Sequence, residues 1–247
     1  MRTSNKIITA LFLILISMAW SLVMNSNMVA FSEKRYLPIY SVDGKEKKIA
    51  VTFDVNWGED YTLEILDILD KYNVKATFFL VGRWVDDHPE IVKQIYSRGH
   101  ELGNHTDMHP DLTKVSKERI VNEIAAADAK IYNLTGFQTR VFRCPSGSYN
   151  NLVISTVEAT GHLPIQWDVD SIDWKEQGAE VELNRVLKKT KPGSILLFHN
   201  NAKYTPENLN KVLKYYKEQG YELVKAGDLI YKENYYLDNN GRQFEKN

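Results

Sequence analysis

The sequence predicts a parallel α/β fold, closed or nearly closed into a barrel and preceded by a membrane-length apolar segment. Three observations carry that expectation. Short apolar runs alternate with helical patterns about seven times along the chain. No GxGxxG follows the first run, which argues against a dinucleotide-binding sheet. Residues 7–24 read IITALFLILISMAWSLVM and carry no charge. At about 1.5 Å per residue, such a run nearly matches a hydrocarbon core of roughly 30 Å. Arg2 and Lys6 precede it, which favours a cytoplasmic N-terminus and an exported remainder. Met28-Val29-Ala30 makes a poor cleavage site, so a retained anchor is preferred to a signal peptide cleaved on export.

The expected organisation is a cytoplasmic stub (1–6), an anchor (7–24), a tether (25–47), one α/β domain (48–231) and a polar tail (232–247). The expected place is the cell membrane, single-pass, with the domain outside the cytoplasm; secretion after signal cleavage is the alternative. The 247 residues, 43% hydrophobic, supply enough apolar material for one sizeable core. The net charge of -1, with acids and bases interspersed, argues against a nucleic-acid partner. The single cysteine, Cys144, allows no intrachain disulfide.

The elements follow in order. Asp43-Gly44 signals a turn within the tether, which also accommodates an edge strand. Residues 49–53, IAVTF, suit a buried parallel strand. Leu63, Leu66, Ile68 and Leu69 give residues 61–71 a helical stripe. Residues 76–81, ATFFLV, form the second strand. A helix spans 88–98, with Pro89 in its first turn and Gly99 as its stop. Residues 101–104 make a brief third strand. Ser116 begins an amphipathic helix to 132. Then strands at 140–143, 163–167, 194–198 and 221–224 alternate with helices at 152–160, 183–189, 206–219 and 226–231. The tail beyond Lys232 is read as loose.

In α/β barrels reactive side chains gather at the C-terminal strand ends. Here those ends carry Asp54, the segment His105-Thr106-Asp107-Met108-His109-Pro110, Arg143, Asp170 with Asp173, and His199. Polar groups at five successive ends are costly to bury unless they pair, bind metal or react. His105 and His109, four apart, would face the same way on a helical turn and could share one ion. Asp107 would point off that face. Each residue has a bland alternative: a turn or cap for Asp54, Asp170 and Asp173, a structural ion pair for Arg143, a satisfied core histidine for His199.

Taken together, Thr52-Phe53-Asp54-Val55, His105-Thr106-x-x-His109-Pro110, Arg143-Cys144-Pro145-Ser146-Gly147, Asp170-x-x-Asp173-Trp174 and Leu197-x-His199 resemble the motifs of the polysaccharide deacetylase (NodB-homology, carbohydrate esterase family 4) family. Their order and spacing hold over about residues 48–230. The opening Asp-Val-Asn-Trp-Gly looks most like its sporulation-associated PdaB-like branch. The resemblance implies a deformed (β/α)7 TIM-like barrel and metal-assisted removal of N-acetyl groups from cell-wall polysaccharide, the amino sugars of peptidoglycan. It implies that His105 and His109 bind a divalent metal, typically zinc. Asp54 is then the general base held by Arg143, and His199 the general acid oriented by Asp173. The backbone N–H of Ser146 binds the oxyanion, and Trp174 and Leu197 wall the acetyl methyl. One position departs: the family's second opening aspartate, a metal ligand, is Val55 here. Valine cannot coordinate, and catalytic zinc normally has three protein ligands. That departure keeps open a membrane-tethered, catalytically weak or inactive glycan-binding protein of the same fold.

Overall fold

The structure is a computed structural model that describes residues 12–18, 20–21 and 35–246. The chain divides into two compact units, Met1–Arg35 and Tyr36–Asn247. In the first, residues 12–18 and 20–21 are helical. Among the described residues no helix is long and apolar enough to cross a membrane. The expected span, 7–24, lies partly outside them.

The second unit opens with β1 (Ser41–Val42) and then β2 (Lys48–Val55), of which seven residues are buried. The strands that follow are β3 (Thr77–Leu80), β4 (Glu101–Asn104), β5 (Val141–Phe142), β6 (Leu163–Pro164), β7 (Val169–Asp170), β8 (Ile195–His199) and β9 (Glu222–Val224). They form one sheet in the order β6-β5-β4-β3-β2-β8-β7, with β9 also on β2. Each pairing in it is parallel. The path ends at β6 and β7, so among the described residues the ring is open there. Of the strand expected at 163–167 only Leu163–Pro164 forms β6, and β7 is a further strand beyond it. Ile165 N–H still donates to the Phe142 carbonyl at 2.8 Å while Ile165 also bridges Ile39, and Gln166 N–H donates to the Ile39 carbonyl at 2.7 Å.

The helices are α1 (Thr62–Lys71), α2 (Gly82–Asp87), α3 (Pro89–Ser97), α4 (Lys117–Thr135), α5 (Asn151–Ala159), α6 (Ala179–Lys189), α7 (Thr205–Glu218) and α8 (Ala226–Leu229). Pro89 opens α3 as expected; the short α2 before it is an addition. Ser116 caps α4 by accepting the Arg119 N–H at 3.2 Å, and Gly136, at φ 69°, ends it in the left-handed region. Phe53 stacks on Phe78 with centroids 4.8 Å apart, in a core between sheet and helices that also takes Ile65, Leu66, Leu69 and Val92. On the inner face Gly103 lets two strands close up: a Cβ there would lie 2.5 Å from Phe79 Cδ1.

The tail is not loose. β10 (Tyr235–Leu237) and β11 (Arg242–Glu245) form an antiparallel hairpin, and β11 pairs in parallel with β1. The anchor of this small sheet is the fully buried Gln243. Its Nε2 donates to the Tyr231 carbonyl at 2.6 Å and its Oε1 accepts the Tyr231 N–H at 2.8 Å. Polarity in the tail thus serves buried hydrogen bonds. The tether's end is likewise packed, with Ile39 and Val42 buried.

The segment joining β4 to α4 carries His105 and His109 and is an irregular turn, not the helical turn expected. Thr106 and His109 have φ of 69° and 55°, a conformation that side chains other than Gly's adopt only when held. The holding groups come from α4. Buried Glu123 accepts the N–H groups of Asp107 at 3.0 Å and Met108 at 2.8 Å. Asn104 Nδ2 donates to the Ile124 carbonyl at 2.9 Å and to Asp128 at 2.8 Å, while its Oδ1 accepts the Thr106 N–H at 2.8 Å. Thr106 Oγ1 in turn accepts the His109 N–H at 3.0 Å.

Replacing Glu123 by Ala strands two backbone donors and should lower unfolding stability by roughly 1–3 kcal/mol, with Glu123→Gln recovering part of it, as read by denaturant titration. A second expectation concerns pH. His100 is buried, and its Nδ1 accepts the Ala76 N–H at 3.1 Å. Burial, aided by the Lys75 and Arg98 charges, pushes its pKa down to about 4. Between pH 6.5 and about 4 the unfolded chain takes up a proton there that the fold refuses. Stability should therefore fall as pH drops through that window, by up to about 1.4 kcal/mol per pH unit from this group. His100→Gln should flatten that slope in denaturation curves; an unchanged slope would exclude the assignment.

Candidate active site

Parallel strands bring their C-terminal ends to one mouth, and the expected residues meet there. Asp54, at the end of β2, sits in register beside His199, at the end of β8. Arg143, just past β5, is wholly buried. Its Nη1 donates to Asp54 Oδ1 at 2.8 Å, and its Nη2 donates to the Gln166 carbonyl at 3.0 Å. The guanidinium lies 4.1 Å from the Phe79 ring centroid, so aromatic faces enclose it. Burial alone would raise the Asp54 pKa. The Arg143 charge, with smaller contributions from His105 and His199, overcomes burial and holds the carboxyl below its ordinary value. Asp54 is thus an ionised carboxylate in a nearly dry place.

His199 is built differently. Its Nδ1 lies 2.7 Å from Asp173 Oδ1 and its backbone N–H donates to Asp173 Oδ2 at 2.8 Å. Asp173 also accepts from Thr205 Oγ1 at 2.6 Å and from the Trp174 N–H at 2.9 Å. This saturated carboxylate orients the ring. Burial opposes a charge on His199, but the hydrogen bond and charge of Asp173, then Asp54, raise its pKa above the ordinary histidine value. The second ring nitrogen is left for the cavity, which His199 lines.

His105 is fully buried. Its Nδ1 donates to the Arg143 carbonyl at 2.8 Å, which leaves Nε2 as the lone-pair nitrogen. That Nε2 has no hydrogen-bond partner. It lies 3.5 Å from Asp54 Oδ2, and burial keeps the ring neutral by lowering its pKa. His109 packs edge-on to it, centroids 4.9 Å apart, and burial, then His105, pushes its pKa down to about 4. Two neutral imidazoles side by side, one with an orphaned buried nitrogen, suit a divalent ion. A third ligand is where the set is thin. Val55 is in the apolar core, and among the described residues no three His, Cys, Asp or Glu side chains are grouped to hold a metal. Asn56 is the neutral substitute: its Nδ2 is 3.1 Å from His109 Nε2, and its Oδ1 is buried without a partner. Rotating that amide presents the oxygen to the imidazole side.

The three other expected residues, Ser146, Trp174 and Leu197, line the same cavity of about 590 Å³. Ser146 sits at φ 52° beside Gly147, in a short 3-10 turn opened by Pro145. Asp107 is directed away, as expected, and accepts from Lys130 at 2.6 Å. Cys144 is buried, which pushes its thiol up to about 12 and leaves it inert. Asp170 lines the cavity while its Oδ1 accepts the Ile172 N–H at 2.7 Å. Trp167, Glu176 and Asn201, not among the residues expected there, also line it, as does Trp57 of the opening motif. Glu123 is likewise not among the expected residues, although a carboxylate in the buried register Ile120, Glu123, Ile124, Ala127 was a visible signal.

Comparison with known proteins agrees with this geometry. A family profile described as Polysaccharide deacetylase matches residues 41–165. The chain is 32% identical over 203 residues to the peptidoglycan-N-acetylmuramic acid deacetylase PdaA of Bacillus subtilis, covering 81% of this chain and 77% of that protein. It is 36% identical over 196 residues to a peptidoglycan-N-acetylglucosamine deacetylase of Bacillus cereus, covering 77% and 92%. Among solved structures it is similar to a CE4 family pseudoenzyme from Bacillus anthracis, with TM-score 0.76, 37% identity and coverage of 78% and 68%. A mutant of that pseudoenzyme has restored enzymatic activity, with the same TM-score and identity to this chain. Motif order, strand-end placement and these similarities converge: the chain belongs to the polysaccharide deacetylase family, hydrolases of carbon–nitrogen bonds other than peptide bonds.

Proposed function

We propose that the chain removes N-acetyl groups from the amino sugars of peptidoglycan, in sporulation or cell-wall maturation. The observation that carries this reading is one pairing across one cavity: an ionised, Arg143-held Asp54 beside an Asp173-backed His199. Amide hydrolysis needs a base to take a proton from water and an acid to protonate the departing nitrogen. Asp54 is the base. As Asp54 takes a proton from water, the water oxygen bonds to the acetyl carbon and negative charge gathers on the former carbonyl oxygen. The Ser146 N–H is the donor assigned to that charge. His199 then passes a proton to nitrogen as the C–N bond breaks, releasing acetate and a free amine. Trp174 and Leu197 wall the methyl. A divalent ion, zinc by family resemblance, would be held by His105 and His109 and would polarise the carbonyl and acidify water.

The apolar run 7–24, with Arg2 and Lys6 ahead of it, supports a single membrane anchor that leaves this domain extracytoplasmic. A second reading, a tethered glycan binder without chemistry, is favoured by Val55 at a ligand position and by similarity to a pseudoenzyme.

Acetate release from acetylated glycan strands by the full chain, with zinc or cobalt supplied, separates the two. The deacetylase reading predicts release that Asp54→Asn or His199→Ala lowers by roughly 10²- to 10⁴-fold. No release with any metal, together with retained strand binding, selects the binder.

A further inference from the structure

We propose that Glu182 is a positioning residue: a buried carboxylic acid that keeps its proton beside the Asp173 carboxylate and, through Asp173, sets how tightly His199 holds the proton it delivers. That role of His199 rests on the deacetylase reading. Glu182, in the first turn of α6, lies outside the motifs that support it.

Helix α7 places the two carboxyls side by side. Thr205 Oγ1, at its start, donates to Asp173 Oδ2 at 2.6 Å. Asn208 Nδ2, three residues on, donates to Glu182 Oε2 at 3.3 Å. Helical residues three apart are neighbours, with about 5–6 Å between Cβ atoms, so the carboxyls they hold are neighbours too. Each is 1% exposed. Their surroundings differ. Asp173 accepts four hydrogen bonds, from Thr205, from the Trp174 N–H and from two groups of His199. Glu182 has the one long bond to Asn208, and its Oε1 is buried without a partner. The four donors stabilise a charge on Asp173; a charge on Glu182 would be stranded.

Two buried carboxyls side by side do not both ionise cheaply, so the proton stays on Glu182. Burial first, then the Asp173 charge, push its pKa up to about 7. Asn208 and the nearby Gly178 backbone favour the charged form and are outweighed; Glu176 adds a smaller push upward. The cations one turn along are engaged elsewhere. On α6, Arg185 Nε donates to the Asp170 carbonyl at 2.7 Å, and on α7, Lys211 pairs with Glu207 at 2.6 Å. While Glu182 is neutral, the His199 Nδ1 side faces the charge of Asp173 alone. As pH rises through about 7, Glu182 ionises and adds a second negative charge behind it. His199 then holds its proton more tightly, and the acid stays loaded to a higher pH than Asp173 alone allows.

Carboxyl-carbon NMR titration of the full chain, with the Glu182 signal assigned through its backbone, reads the proton directly. Glu182 should titrate near 7, and the His199 ring should show two inflections, one of them matching it. Glu182→Gln keeps the shape and the Asn208 contact and removes the titrating proton. It should leave His199 a single inflection, lower by about half a pH unit or more. A packing role alone would leave His199 unmoved. Glu182 titrating near its ordinary 4.5 overturns the proposal, as does an unshifted His199 in the variant. If the variant does not fold, the unaltered chain decides: a Glu182 step mirrored in the His199 curve upholds the coupling, and independent curves refute it. Acetate release from glycan strands is scored separately. Its absence defeats the deacetylase reading, while the titration alone upholds or refutes the coupling.

Discussion

The buried ion pair between Asp54 and Arg143 is the constraint around which the mouth of this barrel is arranged. A guanidinium with no exposed surface, packed on Phe79, can exist only with its carboxylate in place. Removing either partner of such a pair commonly costs about 3–5 kcal/mol, because the other is left charged and dry. The pair ties the end of β2 to the chain beyond β5, across β3 and β4. It also sets the surroundings of its neighbour: the Arg143 carbonyl takes the Nδ1 proton of His105, which decides which nitrogen of that ring is free. One interaction thus keeps Asp54 ionised and His105 a lone-pair donor.

Around it the fold divides labour by strand. β2 and β8 are adjacent, so Asp54 and His199 stand side by side. β4 delivers the imidazole pair through a strained turn, and the strain is balanced by carboxylates and carbonyls of α4. Val55 is the place where the arrangement parts from its family. The side chain joins the apolar core, and among the described residues no acidic residue is grouped there to replace the missing ligand. Two imidazoles with Asn56 alongside carry less negative charge than a site with a second aspartate. The expected consequence is a weaker hold on a divalent ion, with the Asp54–Arg143 and His199–Asp173 pairs left in place.

Much of this was legible beforehand, for identifiable reasons. Parallel strands such as IAVTF and SILLF are continuous apolar runs, and their ends follow from the first polar residue after each. That rule places Asp54 and His199 at strand ends from the sequence alone. It failed where a run was not apolar. β6 stops at Pro164, and the next residue, Ile165, pairs with Ile39, a contact over more than a hundred residues that no local pattern encodes. The tail looked loose because Gln243 is polar, and its role rests on a partner, Tyr231, rather than on its own character. The i, i+4 spacing of the histidines suggests a helical turn because spacing alone does not report the positive φ at Thr106 and His109. The imidazoles still converge, since the strand end and α4 place them, not a helical period.

The account's central claim is electrostatic: in the resting protein Asp54 carries charge, His199 holds its proton more tightly than a free histidine, and buried His105 is neutral with its proton on Nδ1. Nitrogen-detected NMR titration of the full chain measures the imidazole states directly. The account predicts that His199 titrates above 6.5 while His105 shows no protonation near neutrality and reports the Nδ1–H tautomer. A His199 that loses its proton below 6.5, or a His105 that protonates near neutral pH, would contradict it.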